Sequence, residues 1–101
     1  MKLLTLTVVR EFEKDVKKLL LHSGVKAFTF MPVKGYKDVS AESLDDNWFA
    51  TEVNETDSLL SWAFVPAENV PKVEVAIQHF NAKQESLSRI HLSILNIEKT
   101  I

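Results

Sequence analysis

The 101-residue sequence predicts an α+β fold of four strands and two helices in the order β-α-β-β-α-β. Three observations predict it. Four stretches alternate apolar and polar residues with a period of two, and two others repeat apolar residues at helical spacing. The composition, 46% hydrophobic and 26% charged with 2 Gly and 3 Pro, is that of a folded globular chain. The length leaves room for one domain, residues 1–101, so function is expected on a single small core or between copies of it.

Residues 3–9 (Leu-Leu-Thr-Leu-Thr-Val-Val) read as the first strand, with Leu4, Leu6 and Val8 on one side and Leu3, Thr5, Thr7 and Val9 on the other. From Glu11 the period changes. Phe12, Val16, Leu19 and Leu20 share a helical face, with acids Glu11, Glu13 and Asp15 early and Lys17, Lys18 and His22 late, as the helix dipole favours. Gly24 is placed to close this helix. Val25 to Val33 alternates again, with Phe28 and Phe30 opposed to Ala27, Thr29 and Met31, and Pro32 and Gly35 are expected to interrupt the strand. Leu59 to Val65 reads as a third strand, with Leu60, Trp62 and Phe64 as the core side and Ser61 and Ala63 as the other. After Pro66, the residues Val70, Val73, Ile77 and Phe80 recur at helical spacing, and Pro71 is tolerable because it falls in the first turn. Residues 82–89 form a polar connection, and Ile90 to Ile97 reads as a fourth strand.

This order is the ferredoxin-like, split βαβ arrangement: a four-stranded antiparallel sheet with both helices on one face. The opposite sheet face is expected to carry Thr5, Thr7, Ala27, Thr29, Met31, Ser61 and Ala63, none of them charged. A face open to water ordinarily carries Lys and Glu, so an uncharged one implies a cover, and a second copy of the chain is the expected cover.

The net charge of -2 divides unevenly along the chain. Residues 36–58 hold seven acids (Asp38, Glu42, Asp45, Asp46, Glu52, Glu55 and Asp57) against Lys37 alone, a balance of -6, while the rest of the chain stands at +4. That stretch shows no sustained periodicity and is longer than most connections in a compact domain, so 36–58 reads as a long acidic loop. Within it lies an apolar patch, Asn47-Trp48-Phe49-Ala50. Three readings stand side by side: a solvated surface loop, a docking element in which Trp48 and Phe49 anchor and Asp45, Asp46 and Glu52 face a basic partner, or a divalent-cation site of loop carboxylates.

Other classes are excluded or left without support. Zero cysteines remove disulfides, thiol catalysis and Cys-based zinc sites. The two glycines, Gly24 and Gly35, cannot write a phosphate-cradling glycine-rich loop. His22, His79 and His91 do not pair at helical spacing, and no serine stands in a nucleophile-elbow context, so no enzymatic activity is expected. No run of about 18 apolar residues and no basic start leading into an apolar stretch is present, which makes the cytoplasm the expected location.

The run from Gly24 to Tyr36, Gly-Val-Lys-Ala-Phe-Thr-Phe-Met-Pro-Val-Lys-Gly-Tyr, resembles the second strand and loop entry of the nitrogen-regulatory PII proteins, which end in a similar V-K-G-aromatic sequence. Phe64 to Val70 (Phe-Val-Pro-Ala-Glu-Asn-Val) resembles the passage from their third strand into their second helix. The resemblance covers nearly the whole chain in element order. It implies a homotrimer with inward-facing sheets, clefts between subunits that take a small-molecule effector, and a T-loop, here 36–58, that docks on a target protein such as a membrane transporter. The PII B-loop, T-G-x-x-G-D-G-K, is replaced by the glycine-free stretch Ala82 to Arg89, which points away from ATP or 2-oxoglutarate sensing in the PII manner and leaves the cofactor unknown. The candidate ligand residues are Thr29, Lys34, Gly35, Tyr36 and Lys37, with Lys83 and Arg89 from across the cleft; for Gly35, a turn-forming role stands beside ligand contact. A nucleic-acid partner is not expected. The alternatives are a CutA-like divalent-metal-binding protein and a small dimeric enzyme with its pocket on the open sheet face.

Overall fold

The computed structural model describes residues 1–36 and 55–101. Among them lie β1 (Lys2–Val9), α1 (Glu13–His22), β2 (Thr29–Tyr36), β3 (Glu55–Val65), α2 (Val70–Lys83) and β4 (His91–Asn96), with a short 3-10 turn before each helix. The strands form one antiparallel sheet in the order β2-β3-β1-β4, so β3 and β1 are central and β2 and β4 are edges. The ferredoxin-like α+β fold expected from the alternation is the fold observed.

One face of the sheet meets both helices. Leu4, Leu6 and Val8 of β1 pack with Val16 and Leu20 of α1 and with Val70, Val73 and Ile77 of α2, all buried. Burying each such Leu or Val side chain stabilises by about 1.5–3 kcal/mol, which makes this layer contact the main source of stability. Phe12 and Phe80 meet edge to face at 5.2 Å and join the start of α1 to the last turns of α2. Phe28 and Phe30 form a second edge-to-face pair at 5.5 Å, packed against the same core.

Helix α1 stops where glycine was expected to stop it. The Val25 N–H donates to the Leu20 carbonyl at 3.0 Å and the Gly24 N–H to the Leu21 carbonyl at 3.1 Å, a Schellman closure with Gly24 at φ +86° and Val25 tucked into the core.

Three expectations are corrected. Strand β2 starts at Thr29, not Val25, and runs through Pro32 and Gly35 to Tyr36. Among the described residues it is an edge strand paired with β3 alone, so Pro32 need not donate a ladder hydrogen bond on its outer side. Gly35 accordingly lies in the strand and not in a tight turn. Strand β3 begins at Glu55, so residues 55–58, read as loop, are strand residues opposite Tyr36 to Val33. The third correction reverses the phase of β3. Leu59, Ser61, Ala63 and Val65 face the helices and are buried, while Leu60 and Trp62 are half-buried on the open face and Phe64 is 52% exposed there. On the core side β3 lies between the Leu4, Leu6 and Val8 row of β1 and Phe30 of β2 with Phe28 just before that strand, and these large neighbours leave room for only small central side chains.

Candidate ligand cleft and open sheet face

The register assigns the open face residue by residue. From β1 it takes Leu3, Thr5, Thr7 and Val9; these lie opposite Phe64, Trp62, Leu60 and Ser58 of β3. Strand β2 adds Thr29 and Met31, opposite Trp62 and Leu60, and β4 adds His91, Ser93 and Leu95, opposite Thr7, Thr5 and Leu3. Among the described residues this face bears no Lys, Arg, Asp or Glu, as expected. It is larger and more apolar than expected, because the β3 reversal replaces Ser61 and Ala63 by Leu60, Trp62 and Phe64. The difference has a simple origin: bulk alone favours the Leu60, Trp62 and Phe64 side of the strand as the core side. The signal available in the sequence was that Leu59 and Val65 share the parity of Ser61 and Ala63.

The end of β2 carries the first group of candidate ligand residues. Lys34 lies directly opposite Asp57, and its Nζ donates to Asp57 Oδ1 at 2.9 Å. The hydrogen bond and charge of Asp57 hold the Lys34 ammonium above its usual range, and Lys34 holds the Asp57 carboxyl below its own. Gly35 lies opposite Thr56, and a Cβ there would stand 3.2 Å from Ser58 Oγ and 3.6 Å from the Thr56 carbonyl oxygen. Close packing therefore favours glycine at this position. Tyr36 is exposed at the strand end, opposite Glu55. Thr29 lies at the other end of β2, about 20 Å from Gly35 at strand rise, so the chain does not bring it together with Lys34 and Tyr36.

The second group lies on the connection from α2 to β4. Lys83 ends α2 and is exposed. Arg89 turns back on its own loop, its Nη1 donating to the carbonyls of Ser86 at 2.5 Å and Ser88 at 2.8 Å. The connection is anchored by Asn81, whose side chain accepts from the Ile90 N–H at 2.8 Å and donates to the Ile90 carbonyl at 3.0 Å. Sequence reasoning passed over Asn81, since an Asn within a helical stretch gives no sign of a partner nine residues on.

These two groups sit at the same end of the sheet, because Val33 aligns with Ser58 and Val9, close to the Thr7 and His91 pair. They lie on opposite edges, with the width of four strands, about 14 Å, between β2 and β4. One chain alone does not close a cleft around both. Lys37, Asp45, Asp46, Trp48, Phe49 and Glu52 lie outside the described residues. Among the described residues no group of three or more His, Asp or Glu is placed to hold a metal ion, and no helix is long and apolar enough to cross a membrane.

This architecture is similar to that of CPII, a nitrogen regulatory PII-like protein from Thiomonas intermedia K12, bound to ADP, AMP and bicarbonate. The TM-score is 0.64 at 17% sequence identity, covering 99% of this chain and 94% of that one. It is also similar to a DUF3240 family protein from Shewanella baltica OS155, with a TM-score of 0.69 at 12% identity over 98% of this chain and 91% of that one. No family model and no curated protein matches the sequence. The chain has the PII-like fold, and the resemblance carried by Gly24 to Tyr36 and Phe64 to Val70 holds at the level of that fold.

Proposed function

We propose that this chain is a non-enzymatic PII-like regulatory protein that works as a cytoplasmic homotrimer. The observation that carries the reading is the open sheet face, where Phe64, Leu95 and Met31 are 52%, 43% and 38% exposed with no carboxylate or ammonium among them. An apolar face of this kind is unfavourable in water and favourable against its own copy. Sheet-to-sheet assembly would also bring the β2 end of one copy towards the α2–β4 connection of its neighbour. An intersubunit cleft of that kind would combine Lys34, Gly35, Tyr36 and Lys37 of one copy with Lys83 and Arg89 of the next, while Thr29, at the other end of β2, would lie away from it.

The cleft's cationic groups suit an anionic effector. ADP, AMP and bicarbonate, bound by the Thiomonas protein, are the first ligands to test. Binding would draw Arg89 away from the carbonyls of Ser86 and Ser88. The segment with Asp45, Asp46, Trp48, Phe49 and Glu52 would dock on a basic surface of a target protein, such as the cytoplasmic loops of a membrane transporter.

Light scattering coupled to size exclusion tests the assembly. The wild type should run at three times 11.5 kDa and Phe64→Lys as a folded monomer, whereas a monomeric wild type overturns the reading. Thermal-shift measurements with ADP, AMP, bicarbonate and cyclic dinucleotides test the cleft. A shift that Arg89→Ala removes supports it, and no shift with any of them refutes a ligand cleft of this chemistry.

A further inference from the structure

The outer surface of the helix layer carries a groove that the cleft and the open sheet face do not use. It has a volume of about 620 Å³ and is walled chiefly by Leu19 and His22 of α1 and by Lys72, Val75, Ala76 and His79 of α2. On α2 the lining residues recur at i, i+3, i+4 and i+7, so one continuous face of that helix forms a wall. The outward face of a surface helix is ordinarily polar or charged, yet Val75 stands 55% exposed between Pro71 and His79.

We infer that this groove is a docking site for a partner-protein segment that presents an apolar side chain flanked by carboxylates. Charge complementarity selects that chemistry. The floor is largely apolar, the polar lining is Lys72 with two imidazoles and Ser23, and among the described residues no Asp or Glu lines the groove. An acidic flank meets only neutral or positive groups there, while a basic flank meets Lys72. From Lys72 to His79 the groove runs about 10 Å along α2, enough to seat one or two anchor side chains of a short segment. It opens on the helix layer, on the opposite side from the open sheet face. Copies packed through their sheets would therefore leave every groove accessible, so the docking site is independent of the cleft reading.

A random dodecapeptide display library selected on the full-length protein, with counter-selection on Val75→Glu, tests the inference. Val75 is exposed, so the variant should keep the wild-type circular dichroism spectrum and melting temperature. The expected result is enrichment of sequences with Leu, Phe or Trp beside Asp or Glu. The best of them should shift the amide resonances of Leu19, His22, Lys72 and His79 on titration. Its affinity should fall at least tenfold with Val75→Glu and severalfold with Lys72→Glu, and the same peptide should bind a Phe64→Lys monomer as well as the wild type. Enrichment of basic sequences, equal binding to Val75→Glu, or shifts confined to the β2 end would overturn it. So would the absence of any enriched peptide, including the case in which phosphatidylglycerol vesicles bind the wild type and not Val75→Glu.

Discussion

The side chain of Asn81 pairs with both backbone groups of Ile90, accepting from its N–H at 2.8 Å and donating to its carbonyl at 3.0 Å. A side-chain amide here replaces the neighbouring strand that Ile90 lacks, one residue before β4 begins. The pair ties the last turns of α2 to the start of β4 and fixes both ends of the connection that carries Arg89. Asn81→Ala leaves two part-buried backbone groups without that partner. At about 1 kcal/mol for each hydrogen bond it should lower stability by about 2 kcal/mol, read as a shift in the urea midpoint at unchanged slope. Asn81→Asp keeps the acceptor for the Ile90 N–H but loses the donor to its carbonyl, and should fall between the two.

Ser61 presents the reverse case. Its Oγ is buried against the helix layer and finds no hydrogen-bond partner among the described residues. An unsatisfied buried hydroxyl destabilises, so Ser61→Ala should raise stability by about 1 kcal/mol and the melting temperature by about 4–8 °C. A lower melting temperature would show that the hydroxyl is satisfied in solution.

The Lys34–Asp57 pair predicts a defined pH window. Asp57 is shifted below its ordinary value of 3.8, so its contribution is present above that value and is lost as pH falls through the depressed one. Lys34 is shifted above 10.5, so its contribution is present below that value and is lost as pH rises through the raised one. Asp57→Asn should therefore be less stable than the wild type by a small constant amount from about pH 5 to 9, and the two curves should converge in strong acid. The side chains are 69% and 63% exposed, so solvent keeps the difference small, and added salt should shrink it further.

Gly24 is constrained twice. Its φ of +86° disfavours any side chain, and a Cβ would press on Asn69 at 2.9 Å. Gly24→Ala should cost about 1–2 kcal/mol from the backbone alone, measured by thermal or urea unfolding. Gly35→Ala has no positive φ to resist it and meets Ser58 Oγ at 3.2 Å, so its cost should be smaller and should shrink in a Ser58→Ala background.

The elements and their order were legible because period and punctuation are local. Phe12, Val16 and Leu20 mark a helix by their spacing, Gly24 ends it, and Leu4, Leu6 and Val8 mark a strand face wherever that strand is placed. The candidate site was legible only in part. By sequence Lys34 and Gly35 stand just past a strand at the base of the long loop, and Asp57 falls within that loop, because nothing local shows that β3 extends to pair with all of β2. Asn81 gave no signal, since its partner Ile90 is set by how the α2–β4 connection returns to the sheet.

By itself the sequence determined the α+β class, the helix stop at Gly24, the two helical core stripes and the uncharged character of one sheet face. Each follows from residue type and period alone. Only the tertiary structure decided which side of β3 meets the helices, that Pro32 is tolerated on an edge, and that Lys34 and Arg89 lie on opposite edges of the sheet. Alternation states that a strand has two faces but not which one is covered. That choice depends on the volume left between β1, β2 and the helices, where Leu4, Leu6, Phe28 and Phe30 leave space for Ser61 and Ala63 and turn Trp62 and Phe64 outward.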